Sequence, residues 1–436
     1  MRIPLILSLA LAVAVGVHDA SAQGPRAGRP YRGLFGGGVG EFTQLLTANG
    51  SVGGGWDNNL LADVLGRRTT SISNDFNSQH RGGLGTASGS LNYSLNKERV
   101  SARASAGNST RYYPSLGSDF INRQYLFGGA SWSVGKGLAV GAQASYQPYS
   151  LGSLYPTLVD PRTGDEIIDE DFASSSQHYT SYSGFASFDH RLSRRTTMTM
   201  DAAYRVRNSS IRGVRTIRSG GGKISHSMTR DLSLRLGYHY LDADYAGHAN
   251  RTANHVIDAG VDYSHALSVS RRTRVSFSTG TSATTSPVTN RTRYRLVGSA
   301  DLDHEIARTW FASLGYDRGV RFVDSWPEPM FYDAATAGLQ GLITRRLRFH
   351  AAARAARGSR DVLANDSSTF ATYYGNTGLS YALSRFIDTG VVYSYYSHRF
   401  PDSFELAPGF PNHVSRETVR VYISAWAPLF RRIGRP

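Results

Sequence analysis

Along most of the chain apolar and polar residues alternate one by one. In TTMTMDAAYRV, Met198, Met200, Ala202, Tyr204 and Val206 fall on one side of an extended strand, and Thr199, Asp201, Ala203, Arg205 and Arg207 on the other. The same period sets Leu232, Leu234, Leu236, Tyr238 and Tyr240 against Ser233, Arg235, Gly237 and His239. It also sets Ile387, Thr389, Val391, Tyr393 and Tyr395 against Asp388, Gly390, Val392, Ser394 and Tyr396. After residue 60 no long stretch has the i, i+3, i+4, i+7 spacing of an amphipathic helix. The pattern predicts an all-β protein whose strands have one apolar and one polar face.

Breaks in the alternation are regular. Basic residues punctuate it at Lys97, Lys136, Arg194, Arg230, Arg271, Arg308, Arg345 and Arg385, often within L-S-R-R or M-T-R-D sequences. Most steps between them are about 36 to 41 residues, enough for one β-hairpin and a loop; the step across the insertion between Ser150 and His178 is about 58. Between these tight turns lie longer connections rich in Asp, Asn, Ser, Gly and Pro. Short turns on one side and longer loops on the other are the layout of a transmembrane antiparallel β-barrel, with turns in the periplasm and loops outside. Counting from the punctuation gives about 18 strands, the first near Leu46 and the last from about Arg416 to Phe430. The even number puts both barrel ends on the periplasmic side. The stretch from about Val214 to Met228, with Gly220, Gly221 and Gly222, alternates least well.

Aromatic positions extend the argument. Tyr146, Tyr204, Tyr238, Tyr240, Tyr316, Tyr393 and Tyr395 share the apolar parity of their strands at the loop ends, and Trp132, Phe188, Tyr263, Trp310 and Tyr381 share it at the turn ends. Those are the two girdles of a barrel crossing a bilayer. A soluble sandwich or propeller also alternates, but a closed core of this size needs larger packing residues than the Ala and Gly spread through these strands.

The first residues, MRIPLILSLALAVAVGVHDASAQG, combine Arg2, an apolar run from about Ile3 to Val17 and the small residues Ala20, Ser21 and Ala22. This is the form of a secretory signal cleaved between Ala22 and Gln23. The expected organisation is a signal peptide at 1–22, a flexible periplasmic lead at 23–44, the barrel at 45–430 and a short tail at 431–436. The Gly-rich basic lead lacks the strand–helix setting of a phosphate loop. About two dozen residues between Gln23 and the first strand leave no room for the plug of a TonB-dependent transporter or for an autotransporter passenger.

One segment carries a family resemblance. TANGSVGGGWDNNLLAD, with Trp56-Asp57-Asn58-Asn59, resembles the first-strand aromatic-Asp-Asp-Asn motif of outer-membrane β-barrel porins associated with bacterial exopolysaccharide systems. The S-R turn in YALSRFIDTGVVYSYY and the last strand RETVRVYISAWAPLF are similar to that family as well. The resemblance implies a porin-like barrel linked to exopolysaccharide. The tail departs from it, because Phe430 is followed by RRIGRP instead of closing the chain.

Composition narrows the chemistry. The 436 residues contain no Cys, which excludes disulfide scaffolds, thiolate metal sites and cysteine nucleophiles. A charge of +15 would suggest nucleic acid for a cytoplasmic protein, but export removes that partner. Outer-membrane lipids, lipopolysaccharide, the barrel-insertion machinery and anionic polysaccharide remain as partners. His239 near Asp242 and His398 near Asp402 are the nearest approach to catalytic pairs, and among 13 His they read as bland polar residues. The acidic loop Asp160 to Asp171 lacks the order of a calcium-binding loop. No catalytic, metal or cofactor residues are assigned.

By parity the lumen face holds Arg103, Arg205, Arg207, Arg235, Arg274, Arg293, Arg295, Arg348, Arg354 and Arg420, with Asp189, Asp201, Asp258, Asp262, Asp301, Asp303 and Asp388. Arg205, Arg207, Arg293 and Arg295 fall toward the loop ends, and Asp189, Asp301, Asp303 and Asp388 toward the turns. These eight are the candidate pore-lining residues, and an outer ring of Arg would draw in anions. The expected function is a channel for solutes or an anionic polymer. The alternatives are a non-conducting structural component of an exopolysaccharide system and, further behind, an outer-membrane lipid or polymer enzyme.

Overall fold

A computed structural model describes residues 43–63, 81–116, 119–150, 173–209, 213–245, 252–266, 272–285, 292–307, 309–321, 330–359, 369–401 and 412–432. The signal segment with Ala22 and Gln23, the lead up to residue 42, the loop Asp160 to Asp171, and Arg271, Arg308 and Asp402 fall outside these.

Alternation becomes strand throughout. The first six strands are β1 Gln44–Asp57, β2 Gly82–Asn96, β3 Val100–Tyr113, β4 Asp119–Val134, β5 Leu138–Ser150 and β6 Ala173–Arg191. Next come β7 Thr196–Ser209, β8 Gly213–Ser227, β9 Leu232–Tyr245, β10 Thr252–Ala266, β11 Thr273–Thr285 and β12 Thr292–Ile306. The last six are β13 Trp310–Arg321, β14 Met330–Leu342, β15 Leu347–Ser359, β16 Thr369–Ala382, β17 Ile387–Arg399 and β18 His413–Arg432. Each pairs antiparallel with its sequence neighbours, and β1 pairs with both β2 and β18, so the 18-stranded sheet closes on itself. The weakly alternating stretch around Gly220 is strand too, because β7 and β9 supply its hydrogen bonds whatever its side chains do.

Cross-strand register divides the residues into two faces. The exposed large hydrophobic residues of the strands, Val52, Leu91, Leu126, Leu236, Leu296, Leu314, Val421 and Ile423 among them, occupy one face. Leu236 is 65% exposed and Leu296 66%, values that in water would leave a wide apolar belt unpaid for. That face is the outside, against lipid. All twelve aromatics expected in the girdles sit on it by register. With strands about 4.8 Å apart and tilted about 40°, 18 strands in a circle enclose a backbone cylinder roughly 35 Å across, too wide for wall side chains to fill. The inner face is polar because it borders water.

Four of the turns share one construction, and it explains the punctuation. In each, a Ser or Thr hydroxyl accepts the N–H groups two and three residues on: Ser193 from Arg195 and Thr196, Thr229 from Asp231 and Leu232, Thr344 from Arg346 and Leu347, and Ser384 from Phe386 and Ile387, all at 3.0–3.2 Å. Such a hydroxyl satisfies donors the tight turn would leave unpaired. The residue before it, Leu192, Met228, Ile343 or Leu383, is half exposed on the outside, and the Arg after it stands at the turn tip. Apolar anchor, hydroxyl and basic tip are therefore one interfacial device.

Glycines fit rings to the inner wall. Phe185 on β6 is an inner-face residue opposite Gly141 on β5, and any Cβ at Gly141 would strike its ring. Tyr125 on β4 lies likewise over Gly107 on β3. A ring laid flat over glycine takes little of the lumen and covers exposed backbone.

Candidate functional site

The inner wall is the candidate site. Its construction begins at the seam, where β1 and β18 close the sheet. Asp57 and Arg416 are both fully buried, and Arg416 Nε donates to Asp57 Oδ2 at 2.9 Å, with its Nη2 on the same oxygen. Asp57 Oδ1 accepts from the Asn59 N–H at 2.8 Å, Asn58 Oδ1 accepts from the Glu417 N–H at 2.7 Å, and Asn59 Nδ2 donates to the Ser415 carbonyl at 3.0 Å. Trp56 points the other way, into the outer belt. The motif that carries the family resemblance is thus the lock of the barrel seam at its loop end.

Just past the seam the chain turns inward. Leu60–Asp63 forms a short 3-10 turn, with Leu60 fully buried against Leu84, Tyr113 and Ile121 on the inner faces of β2, β3 and β4. The turn also reaches β6. An apolar cluster therefore covers one sector of the lumen near its outer mouth.

Charges at the turn half are mutually braced. Arg235 pairs with Asp262 and donates to Ser278 Oγ at 3.0 Å and the Thr279 carbonyl at 3.2 Å. Asp303 stands opposite Arg274 on β11, Asp189 accepts from Thr199 Oγ1 at 2.8 Å, and Asp388 accepts from Ser424. Asp301 stands between Ser276 and Gly315, and Arg103 and Arg348 occupy inner positions at this level as well. The turn end is therefore mixed in sign, where parity alone stressed its Asp residues.

At the loop half the balance is basic. Inner positions there hold Arg111, Arg123, Arg205, Arg207, Arg215, Arg293, Arg295 and Arg416 against the acids Asp57, Asp119 and Asp317. Asp57 is consumed by Arg416, and Asp317 accepts from the Tyr332 hydroxyl. Arg207 packs its guanidinium 4.3 Å from the Tyr179 ring centre, while Arg295, inward by register on β12, leans at the loop end to within 4.3 Å of the ring of Phe331, a residue of outer register that Arg318 also approaches. Arg205 lies opposite Ser183 and Ile217, and Arg293 opposite Thr284. Arg207 and Arg215 face each other across β7 and β8. Most of these arginines lie between β3 and β8; Arg293 and Arg295 on β12 stand five strands from β7. Among the described residues the basic lining is two sectors, where the sequence suggested a ring.

The alternation did not lead to Arg111, Arg123 and Arg215, which are 2–4% exposed. Near them the outer positions are themselves polar, as at Asn108, Thr110, Asn122 and Gln124, so the two faces look alike in sequence. His239 and Asp242 fall on opposite faces: His239 Nδ1 is 3.5 Å from Asp201 inside, whereas Asp242 pairs with Arg218 outside at 3.4 Å. His398, fully buried, packs edge-on against the rings of Tyr396 and Phe400. Among the described residues no His/Asp/Glu group is placed to hold a metal ion.

No family model and no curated protein matches the sequence. Solved structures do. Pseudomonas aeruginosa OccK2 (OpdF), determined in complex with glucuronate, is similar at 10% identity and a TM-score of 0.44, over 90% of this chain and 100% of that one. Pseudomonas aeruginosa OpdL is similar at 11% identity and 0.41, over 89% and 99%. The siderophore receptor PirA of the same organism is similar at 10% and 0.40, over 89% of this chain and 81% of its own. The likeness is one of fold. By its closed 18-stranded sheet and apolar outer belt, this chain is a transmembrane β-barrel of the outer-membrane type.

Proposed function

We propose that the protein is a passive channel through the outer membrane that favours anionic solutes, acidic exopolysaccharide strands among them. The observation that supports this reading is the excess of guanidinium over carboxylate on the loop half of the inner wall. Low-dielectric walls behind those charges focus their field into the lumen, raising the local concentration of anions at the outer mouth. At the turn half Arg and Asp neutralise one another, so a solute that has entered meets no second trap. No residue is assigned a catalytic part in this scheme.

Reversal potentials in planar bilayers across a salt gradient test it. We expect a several-fold preference for chloride over potassium at low ionic strength. It should decline as the Debye length shortens to about 10 Å at 0.1 M. Changing Arg205, Arg207, Arg293 and Arg295 together to Ser should reduce it with folding intact. Adding an acidic oligosaccharide on the loop side should block current transiently in the wild type more than in that variant. Cation preference overturns the proposal. A folded barrel that carries no current favours the second reading, a structural component of an exopolysaccharide system, for which the inward packing of Leu60 is the supporting observation.

A further inference from the structure

We propose that the outer surface of β12–β17 is a binding site for lipid A, the bisphosphorylated, multiply acylated glycolipid of the outer leaflet, with acyl chains in a groove and phosphates on a row of arginines above it. The groove is a concavity of about 800 Å³. Register explains it: Tyr316, Ala335, Ala355 and Tyr373 form one cross-strand row on the outer face, and Leu314, Ala337, Ala353, Gly375 and Tyr395 form the next. Neighbours in such a row are about 5 Å apart, so relief is set by side-chain length. Alanine and glycine sink between leucine and tyrosine, leaving a trough with apolar floor and aromatic walls at hydrocarbon depth.

The next row toward the loops is charged. It reads Arg318, Asp333, Arg357, Ala371 and Arg399 across five strands. Arg318 Nε lies 3.6 Å from Asp333 Oδ1, which also accepts from the Tyr316 hydroxyl at 2.5 Å. Arg357 and Arg399 are exposed and have no ion-pair partner among the described residues. Three guanidiniums against one carboxylate make the row a cationic ledge over an apolar trough. Its depth suits a headgroup: Arg318 is eight residues beyond Trp310 at the turn end, about 20 Å along the membrane normal for a strand tilted about 40°, near the upper edge of an apolar band about 25 Å tall.

Width selects the ligand. Arg318 and Arg399 stand four strands apart, roughly 19 Å, with Arg357 midway. One phosphodiester engages a single guanidinium fork, whereas a sugar core with a phosphate at each end can engage two or three, each by paired N–H donors. Chemistry at both levels, several acyl chains below and two separated phosphates above, is that of lipid A.

Native mass spectrometry of the refolded full chain tests the site, with added lipid A or dioleoylphosphatidylglycerol and folding checked by heat-modifiable migration. We expect lipid A to be retained through detergent exchange at least tenfold better than the phospholipid. Replacing Arg318, Arg357 and Arg399 by Ser should reduce retention at least tenfold, and monophosphorylated lipid A should bind at an intermediate level. Ala337→Leu with Ala353→Leu, which fills the trough and keeps the charges, should reduce retention comparably, whereas Arg218→Ser, an outward arginine on β8, should not. Equal retention of both lipids, or full retention by the folded trough-filled variant, overturns the proposal.

Discussion

Asp57 and Arg416 are 359 residues apart in sequence and share one buried contact. Removing one partner of a buried pair leaves a charge without compensation, at a cost of about 3–5 kcal/mol, while replacing both by apolar residues is often close to neutral. Asp57→Ala should therefore lower the temperature at which the folded band disappears on heat-modifiability gels, and Asp57→Leu with Arg416→Met should restore much of it. If the single variant melts like the wild type, the seam does not depend on this pair. In sequence, Asp57 was visible only as part of a motif and Arg416 only as a strand residue. Nothing local announces a partner at the other end of the chain, because the two meet only through closure of the whole sheet. His239 makes the converse point: proximity to Asp242 suggested a pair, and a separation of three residues in a strand puts the two on opposite faces.

At the scale of strands and turns, sequence and structure agree closely, since a two-residue period is the same fact seen in one dimension and in three. Strand parity carries energetic weight. Leu236→Arg places a charge in lipid and should destabilise insertion by about 2–4 kcal/mol, whereas Ser233→Arg, three residues nearer the turn on the same strand and on the water side, should be tolerated. Urea titrations of folding into vesicles measure both, and equal effects would contradict the assigned faces. The turns permit a finer test. Thr344→Ala removes the acceptor for the Arg346 and Leu347 N–H groups and should cost about 1 kcal/mol, and Thr344→Ser should cost little. The repeated S-R and T-R sequences were legible as breaks, but their mechanism was not, because a hydroxyl that closes a turn and a solvated one look identical in sequence.

For the whole molecule, the absence of Cys makes topology directly testable, since any introduced thiol is unique. Arg194→Cys and Arg345→Cys, at turn tips, should resist a membrane-impermeant maleimide on intact cells and react after lysis. Asp165→Cys, in the long connection after β5, should react on intact cells. The reverse pattern would invert the barrel. The even strand number and the closed sheet were both readable from punctuation and parity. The distribution of charge around the wall was not: parity says which face a residue takes but not its compass bearing, so the arginines expected as a ring emerge as two sectors. The inward turn at Leu60 was equally hidden, because its partners Leu84, Tyr113 and Ile121 are apolar residues at polar-face positions, exceptions that a pattern reading discounts.

The seam has one more consequence, and it concerns assembly. Sliding β1 past β18 by two residues keeps every side chain on its own face, so the alternating pattern that specifies the rest of the barrel is blind to that error. The buried pair is not blind. A slip in either sense would break the paired Nε and Nη2 donation from Arg416 to Asp57 and take Asn58 off the Glu417 amide it now accepts from, leaving buried polar groups badly matched. One contact thus removes the ambiguity left by many strands of repetition, and it does so at the joint where the two ends of the sheet meet, where a wrong offset would otherwise set the stagger, and with it the girth and tilt, of the finished cylinder.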